Sequence, residues 1–301
     1  MSTKHLTPLT YIDVIARAGS IRKAAETLAI TSTALNRRVL ALEEELGVPI
    51  FERLPRGVRP SAAGELLITH IRAQLSDFEK LRGQIADLSG ERRGNVSIAC
   101  SQALLPYFLP EQISLYRAEH PAVTFEVSLR DRAAAEQALV DSSADIALIF
   151  EPVRLRDVQV LITVRQPLHA VLAHDHPLAA KDVIRLRDCA AFPVGLPSQQ
   201  YGVRHLLDLA LFRSSVDLPV VIESDSFEFL RRYPQHEQLV SFQIPVGLPK
   251  RPDEGIVTRR IDTRDVPKGL LYLCQLRGRT LPVAAAKFAA QIEAVLETEY
   301  R

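Results

Sequence analysis

The chain has no tryptophan, a single methionine and three cysteines in 301 residues. Cys100, Cys189 and Cys274 are odd in number and far apart, which excludes a complete disulfide framework and the close ligand spacing of a zinc site. Buried free thiols are expected instead. No stretch approaches the roughly 18 uninterrupted apolar residues that span a bilayer. The first residues, through Ala18, carry Lys4, His5, Asp13 and Arg17 where an export signal has its apolar core. These absences predict a soluble, cytoplasmic protein with no membrane partner. Enzyme signatures are missing too: there is no Gly-x-Ser-x-Gly elbow, no Gly-x-x-x-x-Gly-Lys phosphate loop and no Gly-x-Gly-x-x-Gly turn. His174-Asp175-His176 sets two imidazoles beside a carboxylate, but no further His or Cys adjoins them and Pro177 marks a turn. Neither a metal, a cofactor nor catalysis is expected.

Charge of one sign is also lacking overall, the net charge being +1. That balance argues against a nucleic-acid partner only until the chain is divided. Residues 1–60 hold nine basic groups against six acidic ones, a net +3, and the remainder holds 28 against 30, a net −2. Arg37 and Arg38 precede the Glu43-Glu44-Glu45 cluster, and Arg53, Arg56 and Arg59 follow it, so one surface is basic and another acidic. The 47% hydrophobic and 24% charged fractions are those of a globular protein, and the length suits about two domains.

Periodicity gives the first segment three helices. Pro8 opens one in which Leu9, Ile12, Val14, Ile15 and Ala16 recur at helical spacing until Gly19. Ser20 caps a short second helix with Ile21, Ala24, Ala25 and Leu28 on its apolar face, and a turn at Ala29-Ile30 leads to a cap signal at Thr31-Ser32. In the third helix Leu35, Val39, Leu42 and Leu46 form one stripe up to the stop at Gly47, leaving Ser32, Thr33, Asn36, Arg37 and Arg38 on other faces. This is the pattern of a helix-turn-helix whose second member enters the DNA major groove N-terminus first. Asn pairs with an adenine edge, Arg with guanine, and Ser or Thr with either. Ile50 to Leu54 and Val58 to Pro60 flank a Pro55-Arg56-Gly57 turn, predicting a short hairpin wing with arginines near its tip.

Several ordered blocks carry a family resemblance: Ser20-Ile21-Arg22-Lys23-Ala24-Ala25-Glu26-Thr27-Leu28, then Leu42-Glu43 with Leu46-Gly47, then Ile50-Phe51-Glu52-Arg53, then Ala63-Gly64. With this spacing the chain resembles the LysR-type transcriptional regulators over residues 5–90. The resemblance implies a winged helix-turn-helix at 1–60 and a dimerising linker helix at 61–89. It also implies base reading by Ser32, Thr33, Asn36 and Arg37, and backbone contacts by Arg38, Arg53, Arg56 and Arg59. Asn36 stands where the family most often has Ser, and Ser61 where it has Thr, so the operator sequence does not transfer.

Leu67, Ile71, Leu75, Phe78, Leu81, Ile85 and Leu88 step by three or four along a long helix, a coiled-coil-like seam that suits self-association or packing on the chain's own C-terminal domain. Beyond the polar junction at 90–94, strand-like runs alternate with helical ones, predicting an α/β domain with mainly parallel sheets. The expected strands are 96–99, 123–129, 146–150, 158–164, 170–172, 192–196, 220–223, 239–244, 256–261 and 270–275. Helices are expected near 105–119, 133–140, 203–213, 226–232 and 282–298. The resemblance implies that 94–301 is a two-lobed effector domain similar to a periplasmic binding protein, lobe one being 94–163 with 268–301 and lobe two 164–267.

Ligands of open α/β sheets lie beyond the carboxyl ends of strands. Ser101 and Gln102 follow the first strand of this domain, and Ser198, Gln199, Gln200 and Tyr201 follow a strand ending at Leu196. Neutral polar groups at two helix starts suit a small organic anion, and simple helix capping is the rival reading. Ser101, Gln102, Ser198, Gln199 and Tyr201 are the candidate effector residues. Phe150 and Phe242 fit the core better than a pocket. The stretch 237–243 lacks the glycine-containing turn the family often has there.

The expected function is ligand-responsive regulation of transcription: a dimer or tetramer on a dyad operator, with double-stranded DNA, an organic-acid effector and RNA polymerase as partners. Two alternatives stay open, a constitutive DNA-binding protein whose C-terminal part only oligomerises, and a solute-binding protein.

Overall fold

The computed structural model describes residues 6–55, 57–88, 94–250 and 255–300. The expected wing residue Arg56 and residues 90–93 of the junction lie outside them. The chain divides into two compact units, 1–85 and 86–301.

In the first unit, α1 (Thr7–Ala18) carries Pro8 in its first turn and ends at Gly19, whose φ of 59° is left-handed. Ser20 caps α2 (Ile21–Thr27), its hydroxyl accepting from the Lys23 amide at 3.5 Å. Thr31 caps α3 (Ser32–Leu46) by accepting from the Ala34 amide at 3.2 Å. The turn between α2 and α3 holds Ala29 at φ 52°. Strands β1 (Phe51–Leu54) and β2 (Gly57–Pro60) pair antiparallel with Leu54 opposite Gly57, so the wing turns through two residues. The core joins Ile12, Ile15, Ala24, Ala25, Leu35, Val39 and Ile50. Leu42 is only half-buried and Leu46 is 46% exposed, so the expected stripe of α3 is buried at Leu35 and Val39 and opens toward its C-terminal end.

The long helix α4 (Ala62–Leu88) packs on the winged domain over its first half. Ile68 and Ile71 are buried in the core of the first unit, with Leu67 and Leu75 packed against it. Those seam residues are committed within the subunit, and Leu81, 48% exposed, is the first of the seam to face outward. The side chains of Ile85 and Leu88 lie outside the described residues. A buried ion pair fixes the same junction: Asp13 of α1 accepts from Arg72 of α4 at 2.7 Å and from Arg17 at 2.8 Å.

The second unit holds two larger sheets and one two-stranded sheet. The first has the order β4-β3-β5-β13-β6. Its members are β3 (Gly94–Cys100), β4 (Val123–Leu129), β5 (Ile146–Phe150), β6 (Val158–Gln166) and, returning late, β13 (Gly269–Leu276), with α5 (Phe108–Glu119), α6 (Arg132–Val140) and α10 (Val283–Glu299) packed on it. The second lobe contributes β7 (His169–Ala173), β8 (Val183–Ile184), α7 (Leu186–Cys189), β9 (Val194–Pro197), α8 (Gly202–Phe212), β10 (Val220–Ser224), α9 (Phe227–Arg232), β11 (Ser241–Gln243) and β12 (Ile256–Ile261). Its sheet runs β11-β7-β12-β8, beside the parallel pair β9 and β10.

These sheets are mixed rather than mainly parallel. β3, β4 and β5 are parallel, but β13 is antiparallel to β5 and β6, and β7 is antiparallel to β11 and β12. The reason is the double crossing: β6 leaves the first sheet and β13 re-enters it beside β5. β6 stays in register with β13 as far as Gln166 opposite Gly269, beyond the strand end expected at 164. The helix expected from about 105 starts at Phe108, behind a single 3-10 turn at Gln102–Leu104. The strand expected at 192–196 runs Val194–Pro197, the one expected at 239–244 shrinks to Ser241–Gln243, and the short β8 and α7 were not expected at all. Among the described residues no helix is long and apolar enough to cross a membrane.

Gly64, in the first turn of α4, approaches the chain after α3 so closely that a Cβ there would lie 2.0 Å from the Ile50 carbonyl oxygen. Gly64→Ala is therefore expected to destabilise the first unit by about 2–3 kcal/mol, measured as a lowered midpoint in urea unfolding. An unchanged midpoint would show that α4 can shift freely.

Candidate functional site

The first candidate site is the N-terminal half of α3. Its inner stripe, Leu35 and Val39, is buried against α1 and α2, where Ala24 and Ala25 let the helices approach. Ser32, Thr33, Arg37 and Arg38 are consequently exposed together, and Asn36 is half-exposed beside them. Because the Thr31 hydroxyl takes the cap, the Ser32 and Thr33 hydroxyls are left to the outer surface.

Side chains from neighbouring elements pre-set this face. The Arg53 guanidinium of β1 donates to the Asn36 side-chain oxygen at 3.1 Å, joining wing to helix. Arg38 lies over the Tyr11 ring, 4.7 Å from its centroid, a cation–π contact that steadies the guanidinium without neutralising it. Arg59 pairs across the hairpin with Glu52 at 2.7 Å, so part of the wing's positive charge is already compensated. Exposed, salt-screened pairs of this type contribute little to stability.

The wing is placed by a member of the Glu43-Glu44-Glu45 cluster. One carboxylate oxygen of Glu43 accepts from the backbone amides of Ile50 (2.7 Å) and Phe51 (3.1 Å), tying the end of α3 to the start of β1. The signal was its place in the Leu42-Glu43 block, which composition alone reads as one of three solvated glutamates. On the other strand a Cβ at Gly57 would lie 2.3 Å from the Gly19 carbonyl oxygen, which receives the Val58 amide at 2.9 Å. Ser61 donates to the Pro49 carbonyl at 2.6 Å and accepts from the Gly64 amide at 3.0 Å, doing the capping work of a threonine.

The second candidate site is the cleft between the lobes of the second unit. Gln102 crosses it: its side-chain oxygen accepts from the Phe227 amide at 2.9 Å, its amide nitrogen donates to the Asp225 carbonyl, and Tyr201 Oη lies 3.5 Å away. Tyr201 stacks edge-on against Phe227 with centroids 5.3 Å apart. The structure thus brings Gln102 and Tyr201 together. Ser198 sits one strand over, its amide bonded to the Ser224 carbonyl, and Gln199 is exposed at the rim. Neither Ser101 nor Tyr201 makes a side-chain cap bond to the helix that follows. Gln200, named with them in the sequence, bonds Asp225 at 3.0 Å.

Two polar residues near the crossing were not anticipated. Gln166 is fully buried; its side-chain oxygen accepts from the Val246 amide at 3.0 Å, and its amide nitrogen has no hydrogen-bond partner among the described residues. At the start of α6 the Arg132 Nε is buried and likewise unpartnered, and burial pushes this guanidinium down from its ordinary range against the opposing pull of Glu151. A lone Gln at a strand end, and an Arg after a helix cap, carry no sequence signal of burial. Phe150 and Phe242 are core residues, at 2% exposure each. His174 is exposed and His176 buried against Phe192, its Nδ1 accepting from the Leu178 amide at 3.1 Å, so the two imidazoles do not share a face.

The three thiols sit inside: burial pushes Cys100, Cys189 and Cys274 each up to about 12, where almost no thiolate exists at neutral pH. Native protein is expected to resist iodoacetamide at neutral pH and to take up one equivalent per thiol once unfolded. Rapid labelling of the native chain would mean that one thiol opens to solvent.

Residues 6–65 match the family model described as bacterial regulatory helix-turn-helix protein, lysR family, and residues 89–297 match the LysR substrate binding domain. The fold is similar to that of a full-length OxyR variant from Pseudomonas aeruginosa, with a TM-score of 0.73 at 22% identity over 97% of this chain and 94% of that one. It is also similar to full-length CbnR complexed with its target DNA, at 0.63 and 17% identity over 96% and 99% of the two chains. The effector binding domain of QuiR in complex with shikimate matches 69% of this chain and all of its own length, at 0.58 and 17% identity. With a reading head of this geometry followed by a two-lobed α/β domain, and both family models matched in order, the chain belongs to the LysR family of DNA-binding transcriptional regulators with an effector-binding domain.

Proposed function

We propose that this regulator binds a dyad operator as a dimer or dimer of dimers, and that a small organic acid in the interlobe cleft alters how it does so. The observation that carries the DNA half is the outward face of α3, where Ser32, Thr33 and Arg37 stand clear of the core and Arg53 holds the Asn36 side chain. In this reading Ser32, Thr33, Asn36 and Arg37 meet base edges, and Arg38, Arg53, Arg56 and Arg59 lie along phosphates. Two copies are needed to match a two-fold operator, and the outward Leu81 end of α4 supports self-association there. RNA polymerase is the further partner such a regulator addresses.

The effector half rests on Gln102, which bridges the lobes through the Asp225 carbonyl and the Phe227 amide. An anion entering between Ser101, Gln102, Ser198, Gln199 and Tyr201 would replace that carboxamide and reset the lobe angle, biasing the spacing of the paired reading heads and the bend of the DNA. The QuiR domain's complex with shikimate, a carboxylic acid, supports the ligand class.

In fluorescence anisotropy with duplex DNA from upstream of its own gene, Asn36→Ala and Arg37→Ala are each expected to weaken binding about tenfold. Unchanged affinity in both would remove α3 from the interface. Calorimetry against a panel of organic acids is expected to find a ligand whose binding weakens in Ser101→Ala and Ser198→Ala, and equal binding in both variants would contradict the cleft assignment.

A further inference from the structure

A cavity of about 720 Å³ opens on the second unit away from the cleft residues just named, lined by α7, by the C-terminal half of α8 and by the segment returning to β13. Arg187, Arg213 and Lys268 bring positive charge to it from those three elements. All three are exposed, and none has a carboxylate partner among the described residues. The other cations of the wall are already paired, and Glu151, bonded to a neutral amide, keeps its negative charge. Arg185 is held by both oxygens of Asp265 at 2.6 and 2.7 Å, Arg264 is paired with Asp262 at 2.5 Å, and Glu151 accepts the Leu270 amide at 2.7 Å. Between the cations the wall is apolar, with Leu206, Leu209 and Leu270.

We propose that this cavity is a second ligand site, for a small organic dianion with an apolar body. Arg187, Arg213 and Lys268 line the cavity from separate elements, so an anion there is attracted by three like charges while its body covers the leucines. The volume suits a compact ligand. The site also has a reason to matter. Glu151 and Leu270 belong to the first lobe and α7 and α8 to the second, so an occupant ties the two lobes together beside their crossing. None of Ser101, Gln102, Ser198, Gln199 or Tyr201 lines it, which makes it separable from the proposed effector cleft.

The test is isothermal titration of the full chain with phenyl phosphate, with phthalate and with uncharged benzyl alcohol. The wild-type protein is expected to bind one or both dianions and not the alcohol; which dianion binds identifies the head group, phosphate or carboxylate. The double variant Arg187→Ser, Arg213→Ser is expected to lose at least tenfold in affinity, whereas Lys287→Ser, which removes an exposed cation of α10 that does not line the cavity, binds as the wild type does. Should the double variant unfold, Lys268→Ser alone is expected to weaken binding several-fold. The proposal is overturned if neither dianion binds, if benzyl alcohol binds as well as they do, if the folded cation variants bind unchanged, or if Ser101→Ala abolishes the binding.

Discussion

The carboxylate of Asp13, enclosed between Arg17 and Arg72, is the contact on which the reading head depends. It lies on α1, one helix away from the proposed DNA face, and it grips α4, the helix that leaves the head. Breaking one partner of a buried pair strands the other charge, at a cost on the order of 3–5 kcal/mol, so the exit direction of α4 is fixed more firmly than apolar packing alone would fix it. Apolar residues slide; a carboxylate gripped by two guanidinium groups does not. From that fixed junction follow the close approach of Gly64 to Ile50, the anchoring of Ile50 and Phe51 by Glu43, and the seat of the wing on Gly19. Helix, wing and linker therefore present α3 as one rigid piece.

The second unit solves a different problem. Its two lobes are joined by segments that cross twice, so their angle can change without breaking either sheet, and polar contacts set the resting state. Gln102 provides one such contact across the cleft. A ligand that interacts differently with the open and closed arrangements shifts their populations, and one that does not shifts nothing.

Where the sequence was legible, one strong local signal controlled the outcome. Ser20 and Thr31 cap the helices they begin, Gly19 and Gly47 end the ones they follow, and the strands at 123–129, 146–150 and 256–261 fall where alternation put them. It was less legible where tertiary context decided. The leucines and isoleucines of α4 have the same spacing whether they face a second subunit or their own winged domain, and only the fold shows Ile68 and Ile71 buried in the latter. The return of the chain to lobe one at 268–301 was expected from the resemblance, but the antiparallel direction of β13 was not legible in its apolar pattern. Among the site residues, the exposed face of α3 could be read from its complement, the buried stripe. The Glu43 anchor, the Gln102 bridge and the buried Gln166 could not, because each bonds to backbone groups that only the fold brings near.

Reading of the major groove by α3 in two symmetry-related places is open to methylation interference with the full-length protein on DNA from its own promoter. Guanine N7 lies in the major groove, where Asn36 and Arg37 are proposed to reach. Interference is expected in two blocks related by a dyad and separated by about one helical turn or a multiple of it. Binding that tolerates N7 methylation throughout the footprint would contradict it.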